Sequence, residues 1–275
     1  MDLYPDALYV SNTFKKSSLI YKFFDTLQRK VLSNSDLVIS IGDCMNDRVK
    51  PYMTDFNKQH AIPICFNPDM LKVDPKNIEK YRKNRGWKTN DLVIMYSGNM
   101  GLGHSFVEFL GAAKKIRDHK NIKWVFAGAG RRRGEILRFK QDNQDVNIEL
   151  LDYAPNEVLN IHLASADIHL ISLREEWTGV IVPSKILDIF AVGKPVIYCG
   201  GLNTSINKWI EESDGGWCYE EGNIDGIIKA VKEGEDFRLR ENKGQNAKKF
   251  ALKHFNPSAN FGILADLVCD LKSEI

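Results

Sequence analysis

The stretch of this chain that most constrains its fold is residues 180–201, which read VIVPSKILDIFAVGKPVIYCGG. Pro183 and Ser184 are typical of the first turn and the cap of a helix. The apolar residues that follow recur at helical spacing as far as Gly193, whose permissive backbone commonly ends a helix. A buried strand is predicted to start at once from Pro195. A short helix joined so closely to a buried strand is typical of α/β domains.

Two charged side chains of this predicted helix are candidates for ligand binding. Lys185 lies in the first turn, where the helix dipole disfavours a cation unless an anion binds in front of it. The free N–H groups of a helix N-terminus can themselves hold a phosphate. Asp188, one turn further on, could accept hydrogen bonds from ribose hydroxyls. The alternative is a helix–strand unit that carries one surface lysine and one surface aspartate.

Length and composition restrict the class of protein more than its function. The 275 residues suffice for one large or two ordinary domains, and 43% hydrophobic residues are typical of a globular protein. A net charge of +2 gives no reason to expect a nucleic acid as partner. The five cysteines are scattered and form no CxxC pair, so we expect reduced thiols. With no long apolar run and no signal peptide, we expect a cytoplasmic protein.

The first 90 residues give weaker signals. Apolar residues at three- and four-residue spacing predict a helix over 12–33, whose other side is rich in lysine and arginine. This helix could lie on an anionic membrane surface, or it could be an ordinary solvated helix. We predict strands at 36–41 and 60–65 and, between them, a helix at 43–52 capped by its first residue. Residues 66–90 show no core pattern and are interpreted as an interdomain connection.

Beyond residue 90 the pattern alternates between strands and helices. Strands are predicted at 92–98, 122–127, 146–151, 167–172 and 195–199. Helices are predicted at 105–119, 134–143, 155–164 (capped by Asn156), after Gly222 and Asp236, and at 261–271. This alternation predicts a doubly wound parallel sheet, which binds ligands outside the carboxyl ends of its strands. Four loops fall there, at residues 98–104, 128–133, 173–185 and 200–205.

The first two of these loops carry further candidates. Gly98, Asn99 and Gly101 belong to a GxxGxG loop, which differs from the dinucleotide fingerprint and could also be a plain tight turn. His104 follows and could bind a phosphate or have no role. Arg131 opens a run of three arginines that could neutralise a diphosphate or simply be solvated.

The third loop contributes Glu175 and Glu176, carboxylates that could meet sugar hydroxyls. The remaining histidines show no metal-ligand spacing and no serine or cysteine partner. We therefore expect neither a metal site nor a hydrolytic triad.

The order of four motifs, YSGNMG, VFAGAG, ASADIHLISL and VPSKILDIFAVGKPVI, resembles retaining glycosyltransferases of the GT-B fold, in the large family 4. The likeness is strongest to bacterial enzymes that build capsule, O-antigen or exopolysaccharide units. It implies two Rossmann-like, doubly wound parallel-sheet domains. Residues 1–75 would belong to the acceptor-side domain and 76–90 to a linker. Residues 91–256 would bind the nucleotide-sugar, and the helix at 257–275 would pack back on the first domain.

The resemblance also assigns roles to single residues. Ser184 and Lys185 fall at the site that binds the diphosphate of a UDP- or GDP-sugar. The Gly98 loop would face the phosphates across the cleft, and Arg131 would be one of the cations near them. Asp188 falls on the second acidic residue of the family's Glu-x7-Glu pair, which holds the ribose. The first position of that pair is Val180 here, and Asp188 is one methylene shorter than glutamate. Glu175, Glu176 and His104 would lie near the donor sugar, no catalytic residue is assigned, and neither cofactor nor metal is expected.

The expected reaction moves a sugar from a nucleotide-sugar to a saccharide or lipid-linked saccharide with retention of configuration. Residues 1–6 resemble a loop from the middle of the family's first domain, so we expect that domain to be incomplete. The alternative function is a non-catalytic or split-enzyme subunit that binds a nucleotide-sugar or a partner chain. An epimerase of the same fold and a dinucleotide oxidoreductase are less well supported. Contact with the inner face of the membrane is one of the two interpretations left open for the helix at 12–33.

Overall fold

The smaller of two parallel sheets lies in the first part of the chain, in a computed structural model that describes residues 3–273. Its strands are β1 (Val38–Ser40) and β2 (Gln59–Ala61). Three helices accompany them, α1 (Asp6–Val10), α2 (Leu19–Ser33) and α3 (Asp43–Val49). Helix α1 was not predicted, and the other four elements are shorter than the sequence predicts.

The larger sheet has six strands, and all of its neighbouring strands are parallel. They are β3 (Leu92–Ser97), β4 (Ile122–Ala127), β5 (Ile148–Leu151), β6 (Ile168–Leu173), β7 (Val196–Gly200) and β8 (Gly216–Tyr219). The spatial order is β5-β4-β3-β6-β7-β8, so the winding reverses between β3 and β6. Parallel sheets bind ligands at the carboxyl ends beside such a reversal. The predicted doubly wound sheet is confirmed.

Helices cover both faces of the larger sheet. They are α4 (Pro75–Asn84), α5 (Val107–Lys115), α6 (Arg133–Asp142), α7 (Leu159–Ala164), α8 (Lys185–Ala191), α9 (Ser205–Ser213), α10 (Ile224–Glu233) and α11 (Phe237–His254). A further helix, α12 (Pro257–Ser273), follows α11 in the chain. Successive strand residues point to opposite faces. Thus Leu170 packs with the side chains of α5 and α10, whereas Ile171 packs with those of α8 and α11. Burial on both faces explains why the strands read as continuous apolar runs.

The helix predicted at 12–33 is shorter in the structure. Helix α2 begins at Leu19, because the Ser18 hydroxyl accepts a hydrogen bond from the N–H of Tyr21 and caps it. Residues 11–18 form turns, with Asn12 at a positive φ of 57°. The prediction that Asp43 caps α3 is wrong: Gly42 precedes the helix, and the Asp43 carboxylate pairs with Lys208 instead. Met1 and Asp2, part of the predicted opening loop, lie outside the described residues.

Residues 66–90 are more ordered than their sequence indicates. They contain a 3₁₀ turn at Pro68–Leu71 and helix α4, and they bury Phe66, Met70 and Trp87. Single buried side chains inside a polar run leave no periodic signal, which is why the sequence showed no core pattern. Arg82 of α4 forms an ion pair of 3.0 Å with Asp167 beside β6. The division into two domains with a linker at 76–90 stays a prediction.

Two further elements depart from the sequence analysis. A 3₁₀ turn at Asn156–Val158 precedes α7, and the Asn156 side chain does not cap the helix. Helix α9 and strand β8 were not predicted. At the other end, Asn260 of α12 donates a hydrogen bond of 2.8 Å to the carbonyl of Pro63, so this helix contacts the first part of the chain. Residues 274–275 of the predicted last helix are outside the described part. Within that part, no helix combines the length and apolarity needed to cross a bilayer.

Candidate functional site

A cavity of about 550 Å³ opens at the carboxyl ends of the larger sheet, close to the reversal between β3 and β6. The loops after β3, β5 and β6 and the first turn of α8 form its walls. Six of the residues singled out from the sequence line it: Gly98, Asn99, His104, Ser184, Lys185 and Asp188. The sheet topology therefore brings together residues from segments that are almost 90 positions apart in the chain.

The backbone at the end of β3 needs glycine. Gly98 has a φ of +135°, a region that side chains disfavour, and an added Cβ would lie 3.0 Å from Nζ of Lys185. Gly128, at the end of β4, has a φ of +128° and packs against the carbonyl of Gly98. The lysine amine and the two strand ends can approach each other only because no side chain stands between them. The loop is thus a tight turn and also one wall of the cavity.

The amine of Lys185 is buried without a counter-charge, although the residue as a whole is only half-buried. Its Nζ lies 3.7 Å from the centroid of the Tyr96 ring, and no described residue accepts a hydrogen bond from it. Burial lowers the pKa of this amine to about 7. A buried amine with no partner is costly, whereas an anion in the cavity would restore both its charge and its hydrogen bonds. Lys185 is therefore the residue of the cavity that is best suited to bind an anion.

Ser184 lies at the N-cap position of α8, but its side chain makes no capping hydrogen bond. The helix has seven residues, so its dipole adds little to the site. Ser184 is exposed and keeps its hydroxyl available to a ligand.

Asp188 has a structural contact that the sequence did not indicate. Its Oδ1 accepts a hydrogen bond of 2.8 Å from the N–H of Asn67, in the segment after β2. Burial raises the pKa of this carboxyl, and the bond from Asn67 opposes the rise. One oxygen is thus committed to the protein, and Oδ2 is the atom left for a ribose hydroxyl. The ribose contact stays a prediction.

A second cavity, of about 740 Å³, shares Ser184 and Asp188 with the first. Its other walls are mostly apolar and come from the smaller sheet, α8 and α12. The first turn of α8 is therefore a common wall of a polar cavity and an apolar one.

His104 is held as a neutral ring. It is only 6% exposed, and its Nδ1 lies 2.7 Å from the carbonyl oxygen of Ser172, which can only accept a hydrogen bond. Burial, and to a lesser extent the nearby Lys185, lowers the pKa of His104 to about 3. An uncharged imidazole offers no positive charge to a phosphate, so the phosphate role considered for His104 finds no support here.

Four predicted site residues are not brought to this cavity. Gly101 lies behind the side chain of Asn99, whose Nδ2 is 3.2 Å from where a Cβ on Gly101 would be. Arg131 is exposed and is not among the residues that line the cavity. Glu176 forms an ion pair of 2.7 Å with Arg174, and the N–H of Glu175 donates to the Glu221 carboxylate at 3.1 Å.

The position that lacks the family's first acidic residue is closed to ligands. Val180 is fully buried, and its carbonyl accepts a hydrogen bond of 2.9 Å from the N–H of Leu3. Sequence reasoning missed Tyr96, whose ring lies under Lys185, and Tyr153, which lines the cavity. An aromatic residue inside an apolar strand reads as core, so Tyr96 gave no functional signal. Among residues 3–273, no three His, Cys, Asp or Glu residues are grouped closely enough to hold a metal ion.

Comparison with known proteins connects this site to a family. Residues 91–234 match the family model described as glycosyl transferases group 1. The probable glycosyltransferase WbjE of Pseudomonas aeruginosa is 24% identical over 216 residues, which are 78% of this chain and 54% of that protein. The putative colanic acid biosynthesis glycosyl transferase WcaI of Escherichia coli is 22% identical over 226 residues, 79% of this chain and 54% of that protein. The chain spans about half the length of these curated relatives.

Solved structures give the same fold. WaaG, a glycosyltransferase involved in lipopolysaccharide biosynthesis, matches with a TM-score of 0.73 at 17% identity, over 91% of this chain and 68% of that one. HepE from Anabaena, in complex with UDP and glucose, matches with a TM-score of 0.75 at 14% identity, over 90% and 68%. Together with the parallel sheets, these neighbours show an α/β fold of the GT-B type. Because the family model covers more than half of the residues, the chain belongs to the glycosyl transferases group 1 family.

Proposed function

We propose that this chain binds a UDP- or GDP-sugar and serves the transfer of its sugar to a saccharide or a lipid-linked saccharide. One observation carries the proposal: the buried Lys185 amine lacks a counter-charge beside a cavity of about 550 Å³, in a member of a glycosyl transferase family. The diphosphate of a nucleotide-sugar supplies the charge that the amine lacks. The relatives' descriptions support a role in cell-surface polysaccharide synthesis, and HepE supports UDP as the nucleotide.

In the proposed reaction the bond between the anomeric carbon and the diphosphate oxygen breaks. A new bond forms to an acceptor hydroxyl oxygen, whose proton is released, and configuration is retained. The chemical difficulty is the charge that develops on the departing diphosphate, which a fixed cation in a secluded site stabilises. Lys185 fulfils this role next to the glycine backbone of Gly98, so we expect neither a metal ion nor another cofactor. Asp188 holds the ribose through Oδ2.

Calorimetric titration with UDP, GDP and NAD tests the proposal. Saturable binding of UDP or GDP and none of NAD is expected. Lys185→Ala should weaken binding of the diphosphate roughly tenfold or more while leaving the weak binding of the bare nucleoside unchanged, because the amine acts on the phosphates. Lys140→Ala, which removes an exposed lysine from α6, is the matched control and should change neither. Equal weakening of nucleoside and diphosphate would contradict the phosphate role.

A second candidate is a subunit that needs a partner chain for transfer. The two-stranded sheet favours it, since β1 pairs with β2 alone among the described residues and Ile39 beside that free edge is 36% exposed. An unpaired strand edge next to apolar side chains is a common place for another polypeptide to add. A folded chain that binds UDP yet transfers no sugar to any saccharide acceptor would favour this function.

We also propose that α2 contacts the cytoplasmic face of a membrane. Its apolar residues are 43–85% exposed: Leu19, Ile20, Phe23, Phe24, Leu27 and Val31. Lysines on and just before the helix, Lys15, Lys16, Lys22 and Lys30, are exposed as well. An amphipathic helix with apolar and basic sides exposed together suits an anionic bilayer surface. This placement would bring the cavity near a lipid-linked acceptor.

A further inference from the structure

The His104 ring is fixed in one orientation and one tautomer. Its Nδ1 bonds the carbonyl of Ser172, its own N–H donates to the carbonyl of Gly101 at 3.2 Å, and the next N–H, of Ser105, donates to the Ser172 hydroxyl. The ring packs edge-on against Tyr96, with 5.8 Å between centroids. Since a carbonyl only accepts, Nδ1 carries the proton and Nε2 carries a lone pair.

That lone pair has no partner within residues 3–273. No described side chain or backbone group donates a hydrogen bond to Nε2. The unpartnered polar atoms that are fully enclosed do not include Nε2, so this nitrogen is not sealed inside the protein. Because His104 lines the cavity, its lone pair is open to a ligand there. Burial keeps the ring uncharged at neutral pH, so Nε2 acts purely as an acceptor.

Because Nε2 can only accept a hydrogen bond, the ligand group beside it must be a hydrogen-bond donor. Phosphate oxygens of a nucleoside diphosphate sugar carry no proton at neutral pH, so they have nothing to donate to Nε2. Hydroxyl groups do. A nucleotide-sugar has hydroxyls at two places, on the ribose and on the sugar, with the diphosphate between them. With Lys185 at the diphosphate and Asp188 assigned to the ribose, the hydroxyl left for His104 belongs to the sugar.

We propose that His104 is a specificity-determining residue, whose Nε2 accepts a hydrogen bond from one hydroxyl of the transferred sugar. The proposal rests on the proposed function, because it assumes a nucleotide-sugar in this cavity. A site built to bond a substrate hydroxyl discriminates against the analogue that lacks it, since its own polar atom is then left unpaired. The donor would therefore keep a free hydroxyl at the position that faces His104, and a sugar deoxygenated there would be a poor donor.

The test compares ligands as well as variants. Wild-type protein is titrated with UDP, with UDP-glucose or UDP-galactose, and with analogues of the better one that each lack a single hydroxyl; GDP-sugars replace them if GDP is the nucleotide that binds. One deoxy analogue should bind about 10-fold or more weakly than its parent. In His104→Phe, which keeps a flat ring without the acceptor, that difference should vanish, while UDP itself binds within about 2-fold of wild type.

The outcomes separate this proposal from the proposed function. A deoxy penalty that persists in His104→Phe, or no penalty for any analogue in the wild type, overturns the assignment to His104. Equal weakening of UDP and UDP-sugar in the variant also overturns it, since that points to a packing role. Failure of wild-type protein to bind UDP or GDP at all would instead refute the proposed function. His104→Gln, which keeps an acceptor oxygen, should restore part of the penalty and covers the case in which the phenylalanine variant does not fold.

Discussion

Replacing Lys185 with methionine should stabilise the empty protein below pH 7. Methionine is unbranched and apolar and fills a similar space. The ordinary pKa of lysine is 10.5 and burial lowers that of Lys185 to about 7. At 1.36 kcal/mol for each pKa unit, this difference corresponds to at most about 5 kcal/mol of destabilisation by the wild-type side chain.

The sign follows from where the two states titrate. The unfolded chain keeps the lysine proton up to pH 10.5, whereas the folded chain releases it near pH 7. Between these values the unfolded state binds more protons, so wild-type stability rises with pH. The destabilisation is complete below pH 7 and disappears near pH 10.5. From pH 7 to pH 9 the wild type should gain about 2 kcal/mol relative to Lys185→Met, because half of the folded molecules are still protonated at pH 7.

Denaturant unfolding of both proteins at pH 6, 7, 8 and 9 measures the effect as a difference in the free energy of unfolding. Taking the difference cancels Lys194, whose pKa burial also lowers, together with every other group that titrates alike in both. Lys140→Met, at an exposed position, should run parallel to the wild type. If Lys185→Met runs parallel as well, the amine is charged in the folded protein and the argument from its burial is wrong.

Two further changes have expected outcomes. Replacing Lys15, Lys16 and Lys22 with glutamate should release the protein from sedimenting phosphatidylserine vesicles, whereas the same exchange at the exposed Lys76, Lys80 and Lys83 of α4 should not; unchanged sedimentation of the first variant would exclude α2 as the contact. Gly98→Ala should lower the free energy of unfolding by about 1–3 kcal/mol and weaken UDP binding, because it strains a φ of +135° and places a methyl group 3.0 Å from Nζ of Lys185. Gly222→Ala, where φ is +84° and the space is open, should cost stability without affecting UDP binding, and similar UDP affinities of the two variants would show that Gly98 is not part of the site.

The elements that could be predicted from the sequence are those in which nearly all residues have the same environment, either buried or exposed. Strand β4 (Ile122–Ala127) lies at its predicted bounds because five of its six residues are buried in a sheet that is covered on both faces. Strand β8 was missed because GWCY is a short run at the sheet edge, preceded by a left-handed Asp214 rather than by a recognisable turn motif. The spacing in α2 correctly predicts a helix, but periodicity reveals an apolar side without revealing what covers it, and here that side is exposed.

The same distinction applies to the site. Parallel strands bring their carboxyl ends together, so Gly98, His104 and Lys185 were predictable neighbours from the order of elements alone. Whether an arginine of the run 131–133 reaches the cavity depends on the backbone direction of the loop, and none of the three lines it. The bond from Asn67 to Asp188 joins residues far apart in sequence, and no local pattern encodes it.

The first turn of α8 is a wall of both cavities, so binding in one cavity can affect binding in the other. Ser184 and Asp188 line the apolar cavity as well as the polar one, so an occupant of either cavity can contact the same two side chains. If a ribose displaces Asn67 from Asp188, the smaller sheet loses a tether to α8; if an apolar group moves the segment around Asn67, the carboxylate is freed for the ribose. Linkage then requires that each occupant change the affinity of the other by the same factor. Under that condition, the shared wall would couple the occupancy of the polar cavity to that of the apolar one.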